Sequence, residues 1–581
     1  MDIFSFKELS KKSKKELPDA PYVKVALLGD TATQVLSKAI VGYGRTCGIN
    51  IELQEADYNQ LDLQILNPAS ELYSSEPEFI VIFKSSQKLL KKYYKSDYEG
   101  KANFADTTIS TLNQYIGTIN QQINTKIILF NFTELPDMVF NNYGNKVPHS
   151  WIYQSRKLNY QLMELASNTD NVFIADIAAI QNRYGRVESF DPQIYIRTDI
   201  ITSLKILPDV ARSVMDIIQS ARGKFKKCLI LDLDNTTWGG IIGDDGIEHI
   251  QVGSLGLGKA FTELQSWAKN LKERGIILAI CSKNEDKTAR EPFEKHPDMV
   301  LRLDDIAVFV ANWENKADNI RYIQSILNIG YDSMVFLDDN PFERNLVRQE
   351  LPEVTVPELP KDPAEYVPYL QQFNLFETTS YSSLDKDRTG QYQREAKRVG
   401  LQKNFGSISE FLENLKMEAI AKSFDKFHVP RIAQLTQRSN QFNLRTIRYS
   451  EKEIKDIINS DQHSSLYVSL KDKFGDYGLI SLVILNKEKE GLFIDTWIMS
   501  CRVLKRDVES FVLNELVRIA KEEGVSYLIG ERLPTKKNII VKDHYKNLGF
   551  EERANKWYLA IDTYNNRENF ITKKEISLSA I

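Results

Sequence analysis

Short apolar runs alternate with longer amphipathic stretches in the first part of the chain. Four of these runs have the length and composition of buried strands: Val23–Leu28, Phe79–Phe83, Lys126–Phe130 and Val172–Ala175. Strands that alternate with helical periodicity are typical of βαβ units, in which a parallel sheet forms. The pattern therefore predicts an α/β domain over residues 1–220.

Three further apolar runs end in, or are followed by, side chains that can carry chemistry. The run Cys228–Leu231 is followed by Asp232 and Asp234. The run Gly275–Ser282 ends in the hydroxyl group of Ser282. The run Ser333–Leu337 is followed by Asp338 and Asp339. Lys316 lies between the second and third runs. Open α/β sheets bind ligands outside the carboxyl ends of their strands. We therefore expect these groups to gather at one edge of a second sheet.

The first of these segments has the pattern Asp-x-Asp-x-Thr, with Asp232, Asp234 and Thr236 directly after a strand. The first carboxylate of such a pair can attack phosphorus, and the second can shuttle a proton. A ligand set made only of oxygen atoms suits Mg²⁺. Taken alone, the motif leaves a second interpretation open, in which the aspartates only cap a surface turn.

The last part of the chain has longer apolar runs that favour an antiparallel arrangement. Tyr477–Leu485 and Leu492–Met499 are predicted to pair, and Val508–Lys521 is predicted to form an amphipathic helix. A stretch that begins with several prolines, residues 361–403, separates this region from the central sheet. Prolines and broken periodicity indicate a connector. An α+β domain is therefore expected over residues 404–581.

The composition is that of an ordinary globular protein. The chain has 581 residues, a net charge of −4 and four scattered cysteines without C-x-x-C spacing. The length suits about three domains. The charge gives no drive toward nucleic acid or membrane, and no apolar run is long enough to span a bilayer. The cysteine pattern indicates neither a disulfide framework nor a zinc site, so we expect a reducing cytoplasm.

The order of carboxylates, hydroxyl, lysine and carboxylates resembles motifs I to IV of the haloacid dehalogenase (HAD) phosphotransferase superfamily. The fuller strings Asp232–Gly240, Ile280–Asn284 and Phe336–Arg344 are similar to the FkbH-like branch, subfamily IIIC. That branch also carries an SGNH-like N-terminal domain and an acetyltransferase-like (GNAT) C-terminal domain, so the resemblance extends over nearly the whole chain.

The resemblance implies a multidomain α/β fold. A flavodoxin/SGNH-like α/β domain is expected over residues 1–220, and a HAD Rossmann-like domain without a cap over residues 222–360. The connector then leads to a GNAT-like α+β domain. A HAD site without a cap is open, which favours a carrier-bound or macromolecular substrate, or a neighbouring domain that acts as the lid.

The resemblance also implies a role for each polar group of the central sheet. Asp232 is expected to be the nucleophile that forms an aspartyl-phosphate, and Asp234 the group that protonates the leaving oxygen and later activates water. Ser282 and Lys316 are expected to contact and neutralise the transferring phosphoryl group. The expected Mg²⁺ ligands are Asp232, Asp234 through its backbone carbonyl, and Asp339; the secondary candidates are Thr236, Asp338, Asn340 and Cys281.

The first strand of the N-terminal domain ends in Gly29-Asp30-Thr31, which resembles the Gly-Asp-Ser block of SGNH hydrolases with threonine in the serine position. The Asp-x-x-His pair of such enzymes is not visible, and His149 is the only histidine before residue 220. A threonine nucleophile needs a base. We therefore favour a docking or scaffold role over hydrolysis for this domain.

The stretch from Arg502 to Asp507 occupies the place of the GNAT loop that binds the pyrophosphate of acetyl-CoA. Lys505 and Asp507 stand at the two glycine positions of that loop. A side chain there crowds the close approach of backbone to phosphate. Two interpretations remain: Arg502, Lys505 and Arg506 recognise a phosphopantetheine phosphate by charge, or the module binds no such group.

Three hypotheses for function follow. The first is a Mg²⁺-dependent phosphohydrolase or phosphotransferase acting on a phosphorylated biosynthetic intermediate. The second is an FkbH-type glyceryl transferase, which loads a glyceryl group from 1,3-bisphosphoglycerate onto an acyl carrier protein. Its thioester route needs a thiol such as Cys281, for which a buried strand cysteine is the alternative interpretation. The third is an assembly scaffold with a relic site, although no catalytic position of the HAD set is replaced.

Overall fold

The computed structural model describes residues 3–381, 388–402, 405–439, 441–535 and 537–574. The chain divides into two compact units, one ending at Ala221 and the other beginning at Arg222. The predicted α/β class is confirmed, because both units contain parallel sheets flanked by helices. No helix in the described part of the chain is both long and apolar enough to cross a membrane.

The first unit is built on a five-stranded parallel sheet. Its strands are β1 Tyr22–Gly29, β2 Asn50–Glu55, β3 Phe79–Phe83, β4 Lys126–Phe130 and β5 Val172–Ala175. Their order, β2-β1-β3-β4-β5, is the flavodoxin-like one. The four predicted strands are confirmed. Strand β2 was missed because it lies at the sheet edge and only its first two residues are buried.

Twelve helices are described in the first unit. They are α1 Phe6–Lys12, α2 Gln34–Thr46, α3 Leu61–Leu66, α4 Glu71–Ser74, α5 Ser86–Lys95, α6 Tyr98–Ala102, α7 Phe104–Gln122, α8 Trp151–Ser167, α9 Ile177–Tyr184, α10 Arg186–Ser189, α11 Pro192–Thr198 and α12 Leu207–Ala221.

The second unit begins with a four-stranded parallel sheet in the order β8-β7-β6-β9. Its strands are β6 Cys228–Leu231, β7 Ile277–Ser282, β8 Val308–Ala311 and β9 Met334–Leu337. Alternate residues of β6 face two separate apolar layers: Leu229 and Leu231 pack with Phe261, whereas Cys228 and Ile230 pack with Ile320. Burial on both faces explains why these strands are uninterrupted apolar runs in the sequence.

The end of the second unit is a mixed eight-stranded sheet in the order β15-β16-β14-β13-β12-β11-β10-β17. Its strands are β10 Met417–Lys422, β11 His463–Asp472, β12 Gly475–Glu488, β13 Gly491–Met499, β14 Tyr527–Gly530, β15 Glu551–Arg553, β16 Lys556–Ala560 and β17 Ile571–Lys573. The predicted antiparallel pair is confirmed as β12 and β13. The next strand, β14, pairs with β13 in parallel.

Twelve helices are also described in the second unit. They are α13 Ile242–Asp245, α14 Gly258–Glu273, α15 Asp286–Lys295, α16 Lys316–Leu327, α17 Pro341–Glu350, α18 Tyr366–Gln371, α19 Arg388–Gln402, α20 Ile408–Leu415, α21 Val429–Arg438, α22 Glu451–Ile458, α23 Val508–Glu522 and α24 His544–Asn547.

The stretch predicted as a connector is in contact with the central sheet. Tyr366, Leu370 and Phe376 are buried in the same apolar layer as Leu229. Helix α19 contributes Tyr392 to the layer on the opposite face. Residues 382–387 and 403–404 of this stretch lie outside the described residues.

Candidate active site

The central sheet places three of the predicted site residues at one edge. Strand β6 pairs with β7 on one side and with β9 on the other, and Leu231 is level with both Ile280 and Leu337. The chain leaves β6 at Asp232 and β9 at Asp338, and β7 ends in Ser282. The register therefore brings a carboxylate, a hydroxyl and a second carboxylate to the same level of the sheet.

Lys316 joins this group from the first position of helix α16. Only 2% of its side chain is exposed. Its Nζ donates a short hydrogen bond to Asp232 Oδ1 and another to the carbonyl of Cys281 at 2.9 Å, and it lies 3.0 Å from Asp338 Oδ2. Burial works to lower the pKa of Lys316, but the charges of the two aspartates outweigh it and raise that pKa above its usual value.

The two aspartates that contact this lysine belong to a cluster of three carboxylates. One oxygen from each of Asp232, Asp338 and Asp339 lies within 4.8 Å of the others. Burial, and then the charge of Asp232, raises the pKa of Asp338 to about 7 and also raises the pKa of Asp339. Three carboxylates beside one ammonium leave negative charge uncompensated, and an all-oxygen set of this kind suits a hard divalent cation. The residues therefore fit a magnesium ion.

The side chain of Asp234 does not belong to this carboxylate cluster. Its Oδ1 accepts hydrogen bonds from the indole nitrogen of Trp238 at 3.0 Å and from the backbone nitrogen of Ile242 at 3.1 Å. Its Oδ2 accepts a third from Asn284 Nδ2 at 2.9 Å. These donors hold the second carboxylate of the Asp-x-Asp pair apart from the first, so the two aspartates have different surroundings.

Trp238 and Asn284 are site residues that motif spacing did not predict. Asn284 donates to Asp234 and also lies 3.2 Å from Ser282 Oγ, so it links motif I to motif II. It follows Ser282 by two positions, and residues two apart in extended chain point to the same side. That spacing is a signal from which its place beside Ser282 is predictable. Nothing in the sequence indicates which side chain the Trp238 indole contacts.

The secondary candidates Thr236 and Asn340 stabilise the loops that carry the carboxylates. Thr236 Oγ1 accepts a hydrogen bond from the backbone nitrogen of Asp339 at 2.9 Å. Asn340 caps helix α17 through its Oδ1, which accepts from the nitrogen of Phe342, and its own nitrogen donates to Asp338 Oδ1 at 2.8 Å. Arg344 donates to the carbonyls of Asp338 and Asp339 at 2.8 and 2.6 Å. These contacts fix the backbone on both sides of the two aspartates.

The side chain of Cys281 belongs to an apolar layer and not to the carboxylate cluster. Its side chain is fully buried in the apolar layer that contains Ile230 and Ile320, and its Sγ lies 3.8 Å from the carbonyl oxygen of Lys316. Burial raises the pKa of the thiol to about 12. Its contribution to the site is its backbone carbonyl, which accepts from Lys316.

The GNAT-like loop uses its arginines internally. Arg502 donates to the side chain of Gln391, and Arg506 forms a short ion pair with Glu395; both partners lie on helix α19. Both arginines are buried, whereas Lys505 is exposed. Lys505 and Asp507 have φ angles of 62° and 57°, in the left-handed region that favours glycine. The loop therefore keeps a backbone conformation that glycine favours, although side chains stand at both positions.

The Gly-Asp-Thr segment of the first unit lies next to Asp199. Thr31 Oγ1 donates a short hydrogen bond to the carbonyl of Asp199, whose side chain accepts from Tyr58 at 2.8 Å. The ring of His149 instead packs against Tyr98, with ring centroids 4.6 Å apart. His149 therefore does not supply a base next to Thr31.

Comparison with known proteins identifies the family. The model of the family described as "FkbH, N-terminal domain" matches residues 24–219. The N-terminal part of protein BF1531 from Bacteroides fragilis, a crystal structure containing a phosphatase domain complexed with Mg, is 54% identical with a TM-score of 0.63. That match covers 65% of this chain and 100% of the other. The chain belongs to the FkbH-like family.

Two further solved structures are similar to this FkbH-like protein over about a quarter of the chain. The ribosomal-protein-S18-alanine N-acetyltransferase of Escherichia coli is 14% identical over 26% of this chain and 98% of that one, with a TM-score of 0.21. The spermidine/spermine N-acetyltransferase SpeG of Vibrio cholerae, in mutant form, is 13% identical over 25% and 96%, with a TM-score of 0.21. No curated protein matches the chain.

Proposed function

We propose that this FkbH-like protein is a Mg²⁺-dependent HAD-type phosphohydrolase or phosphotransferase that carries the phosphoryl group on Asp232. The observation that supports this most strongly is the buried contact of Lys316 with Asp232 and Asp338, beside Asp339, at the carboxyl ends of β6 and β9. A cation that neutralises a nucleophile and the incoming phosphoryl oxygens is what phosphoryl transfer needs. The similarity to a phosphatase domain crystallised with Mg agrees with this proposal.

The magnesium ion would be held by the side chains of Asp232, Asp338 and Asp339, together with the backbone carbonyl of Asp234. When bound, it supplies Lewis-acid stabilisation of the charge on the phosphoryl oxygens. In this arrangement Asp338 would be a metal ligand beside Asp339. Lys316 remains in contact with both Asp232 and Asp338, so that it holds the nucleophile in one orientation.

In the first step, an oxygen of Asp232 attacks phosphorus and the bond from phosphorus to the leaving oxygen breaks. Asp234 donates its proton to that oxygen as it leaves. In the second step, Asp234 takes a proton from a water molecule, which attacks phosphorus and releases phosphate and free Asp232. The hydrogen bonds from Trp238, Ile242 and Asn284 keep Asp234 in position for both transfers.

A second acceptor, the thiol of a carrier protein's phosphopantetheine group, is supported by the lack of a cap domain in the described segments between the strands of the central sheet. Helices α13 and α14 lie between β6 and β7, and helix α15 lies between β7 and β8. Within the described residues, neither segment contains a further α-helix or strand that would form an inserted cap domain. In this version the thiol attacks the C1 carbonyl of 1,3-bisphosphoglycerate, and the bond to the 1-phosphate breaks. The 3-phosphate ester is then hydrolysed at Asp232, which leaves a glyceryl thioester on the carrier.

The buried position of Cys281 supports direct capture by the carrier thiol over a thioester on the enzyme. A thiol whose pKa is about 12 and which is enclosed by apolar side chains is a poor nucleophile at neutral pH. The glyceryl group is therefore expected on the carrier and not on Cys281.

The test is intact-protein mass spectrometry after incubation with Mg²⁺ and 1,3-bisphosphoglycerate, with and without a holo acyl carrier protein, alongside an assay of released phosphate. Phosphate release that Asp232→Asn abolishes supports the phosphatase step. A glyceryl mass on the carrier supports the transferase version, and its absence leaves water as the acceptor. Absence of phosphate release from this and a panel of other phosphorylated substrates would contradict the proposal and favour a scaffold.

A further inference from the structure

A second lysine lies at the same edge of the central sheet and has no role in the steps above. Lys283 directly follows Ser282, at the end of β7, and its Nζ lies 2.5 Å from Glu343 Oε1 in the first turn of α17. Strands β7 and β9 flank β6, so this ion pair joins the two strand ends on either side of Asp232. Two strand spacings amount to about 10 Å, which a lysine stem and a glutamate side chain can cover together.

The two members of this pair differ in exposure. The Lys283 side chain is 35% exposed, whereas that of Glu343 is only 8% exposed. Glu343 Oε2 is buried and has no hydrogen-bond partner in the described part of the chain. A buried carboxylate with one satisfied oxygen is a fixed anchor, and the lysine that it holds remains open to solvent.

Lys283 has hydrogen-bonding capacity to spare. An ammonium group has three donors, and Glu343 is its one ion-pair partner among the described residues. Two neighbouring cations already have several partners. Lys316 contacts Asp232, Asp338 and the backbone carbonyl of Cys281. Arg344 contacts two backbone carbonyls and Glu358. Lys283 is therefore the cation at these strand ends that can accept a further anionic ligand without losing an existing contact.

We infer that Lys283 binds a second anionic group of the substrate, a carboxylate or phosphate separate from the transferring phosphoryl group. Glu343 acts as the positioning residue that directs the ammonium over the site. This inference rests on the proposed function, and it names the residue that would determine selectivity: through Lys283, phosphorylated carboxylic acids and bisphosphates would be preferred over phosphate esters with a neutral remainder.

The experiment compares the wild type with Lys283→Met and Glu343→Gln, using 3-phosphoglycerate and p-nitrophenyl phosphate in the presence of Mg²⁺. Lys283→Met keeps most of the length of the side chain and removes its charge. We expect kcat/KM for 3-phosphoglycerate to fall at least about tenfold more than for p-nitrophenyl phosphate, mainly through KM. Lys283→Arg should restore part of this selectivity. The control is Lys287→Met, an exposed lysine four residues further along the chain, which should leave the ratio unchanged.

A purely structural role for the pair predicts a different result. If the pair only joins two strand ends, Lys283→Met and Glu343→Gln will lower kcat/KM for both substrates equally, or leave both unchanged, and either result overturns the inference. Thermal melting of each variant separates loss of folding from loss of selectivity.

Direct binding keeps this test separate from the proposed function. Titration calorimetry with 3-phosphoglycerate on Asp232→Asn, alone and combined with Lys283→Met, measures affinity without turnover. A weaker affinity in the double variant supports the inference even if the wild type releases no phosphate, which would contradict only the proposed function. Equal affinity in the two proteins overturns the inference.

Discussion

In the proposed mechanism the chemistry depends on Asp232, because this carboxylate attacks phosphorus and carries the phosphoryl group between the two steps. Asp232→Asn keeps the shape and removes the nucleophilic charge. We expect kcat for Mg²⁺-dependent phosphate release to fall by at least about 10³-fold. A steady-state assay with p-nitrophenyl phosphate measures the loss, with Asp244→Asn, an exposed aspartate on α13, as the control. Retention of more than a tenth of the activity would contradict the nucleophile assignment.

The hydrogen bond from Trp238 to Asp234 predicts a dependence on the leaving group. Trp238→Phe keeps an aromatic ring in the core and removes the donor to Asp234. Protonation matters more for a poor leaving group than for nitrophenolate. We therefore expect kcat to fall about 10- to 100-fold for an alkyl phosphate such as glycerol 3-phosphate, and less for p-nitrophenyl phosphate. Equal losses on both substrates would show that Trp238 serves only packing.

The raised pKa of Asp338 predicts how the stability of the metal-free protein depends on pH. Burial and the charge of Asp232 raise this pKa from 3.8 to about 7, so the folded state binds more protons than the unfolded state between these values. Well below pH 3.8 the carboxyl is protonated in both states and costs no stability. The free-energy cost of ionising it in the folded state grows as pH rises and is complete above about pH 7. The melting temperature in EDTA should therefore fall from pH 5 to pH 8.

Asp338→Asn is the control for this pH dependence, because it removes the titrating group and keeps the shape. Its melting temperature should fall less steeply over the same interval than that of the wild type. Added Mg²⁺ should stabilise the wild type more at pH 8 than at pH 5, since its ligands must be ionised. Parallel curves for the two proteins would show that another group determines the slope.

Among the elements, helix α16 has the most direct connection to the site. It begins at Lys316, and Asn315 caps it by accepting a hydrogen bond from the backbone nitrogen of Asp318 at 2.8 Å. Asn315→Ala is expected to cost about 1 kcal/mol of unfolding free energy, within the range of about 0.5–2 found for such caps. Asn315→Asp, which can still cap, should retain most of the stability in urea denaturation.

The same cap determines how Lys316 is presented to the carboxylates. A frayed first turn lets the lysine leave Asp232 and Asp338, so Asn315→Ala is expected to lower kcat more than it raises KM. A loss of stability without any change in kcat would show that the packing of α16 alone fixes the lysine.

The strands of the central sheet show where sequence patterns suffice. Strands β6, β7 and β9 are apolar on both faces and end in polar residues, so periodicity and motif spacing predicted them. Strand β8 was not predicted as a strand, because it has four residues, Val308–Ala311, without a catalytic group at its end. Short runs of that kind match buried strands and buried helices equally well.

For the second unit as a whole, helix α19 forms one of the contacts between the central sheet and the GNAT-like part, beside others such as the ion pair of Lys537 with Asp332. Tyr392 packs beneath the sheet, and Glu395 pairs with Arg506 of the GNAT-like loop. Arg398, on the same helix, makes two hydrogen bonds of 2.8 Å to the carboxylate of Asp472. Buried charges of this kind are costly to leave unpaired.

Removing the charge of Glu395 should therefore destabilise the second unit. Glu395→Gln leaves Arg506 buried with one fewer anionic partner, and we expect a loss of about 3–5 kcal/mol of unfolding free energy in urea denaturation. Glu413→Gln, an exposed glutamate on α20, is the matched control and should change stability by less than about 0.5 kcal/mol. A small effect of Glu395→Gln would show that the buried arginine finds compensating partners or water.

The sequence by itself determined most of the strands of the two parallel sheets, the residues at their carboxyl ends and the family, because burial on two faces produces uninterrupted apolar runs and the family's motifs place a few residue types at fixed positions. Tertiary structure decided the rest. It turned Asp234 toward Trp238 and Asn284, placed Cys281 in the apolar layer, and paired Arg502 and Arg506 with helix α19. These outcomes depend on which side chains meet across elements distant in the chain, and neither periodicity nor motif spacing specifies such contacts.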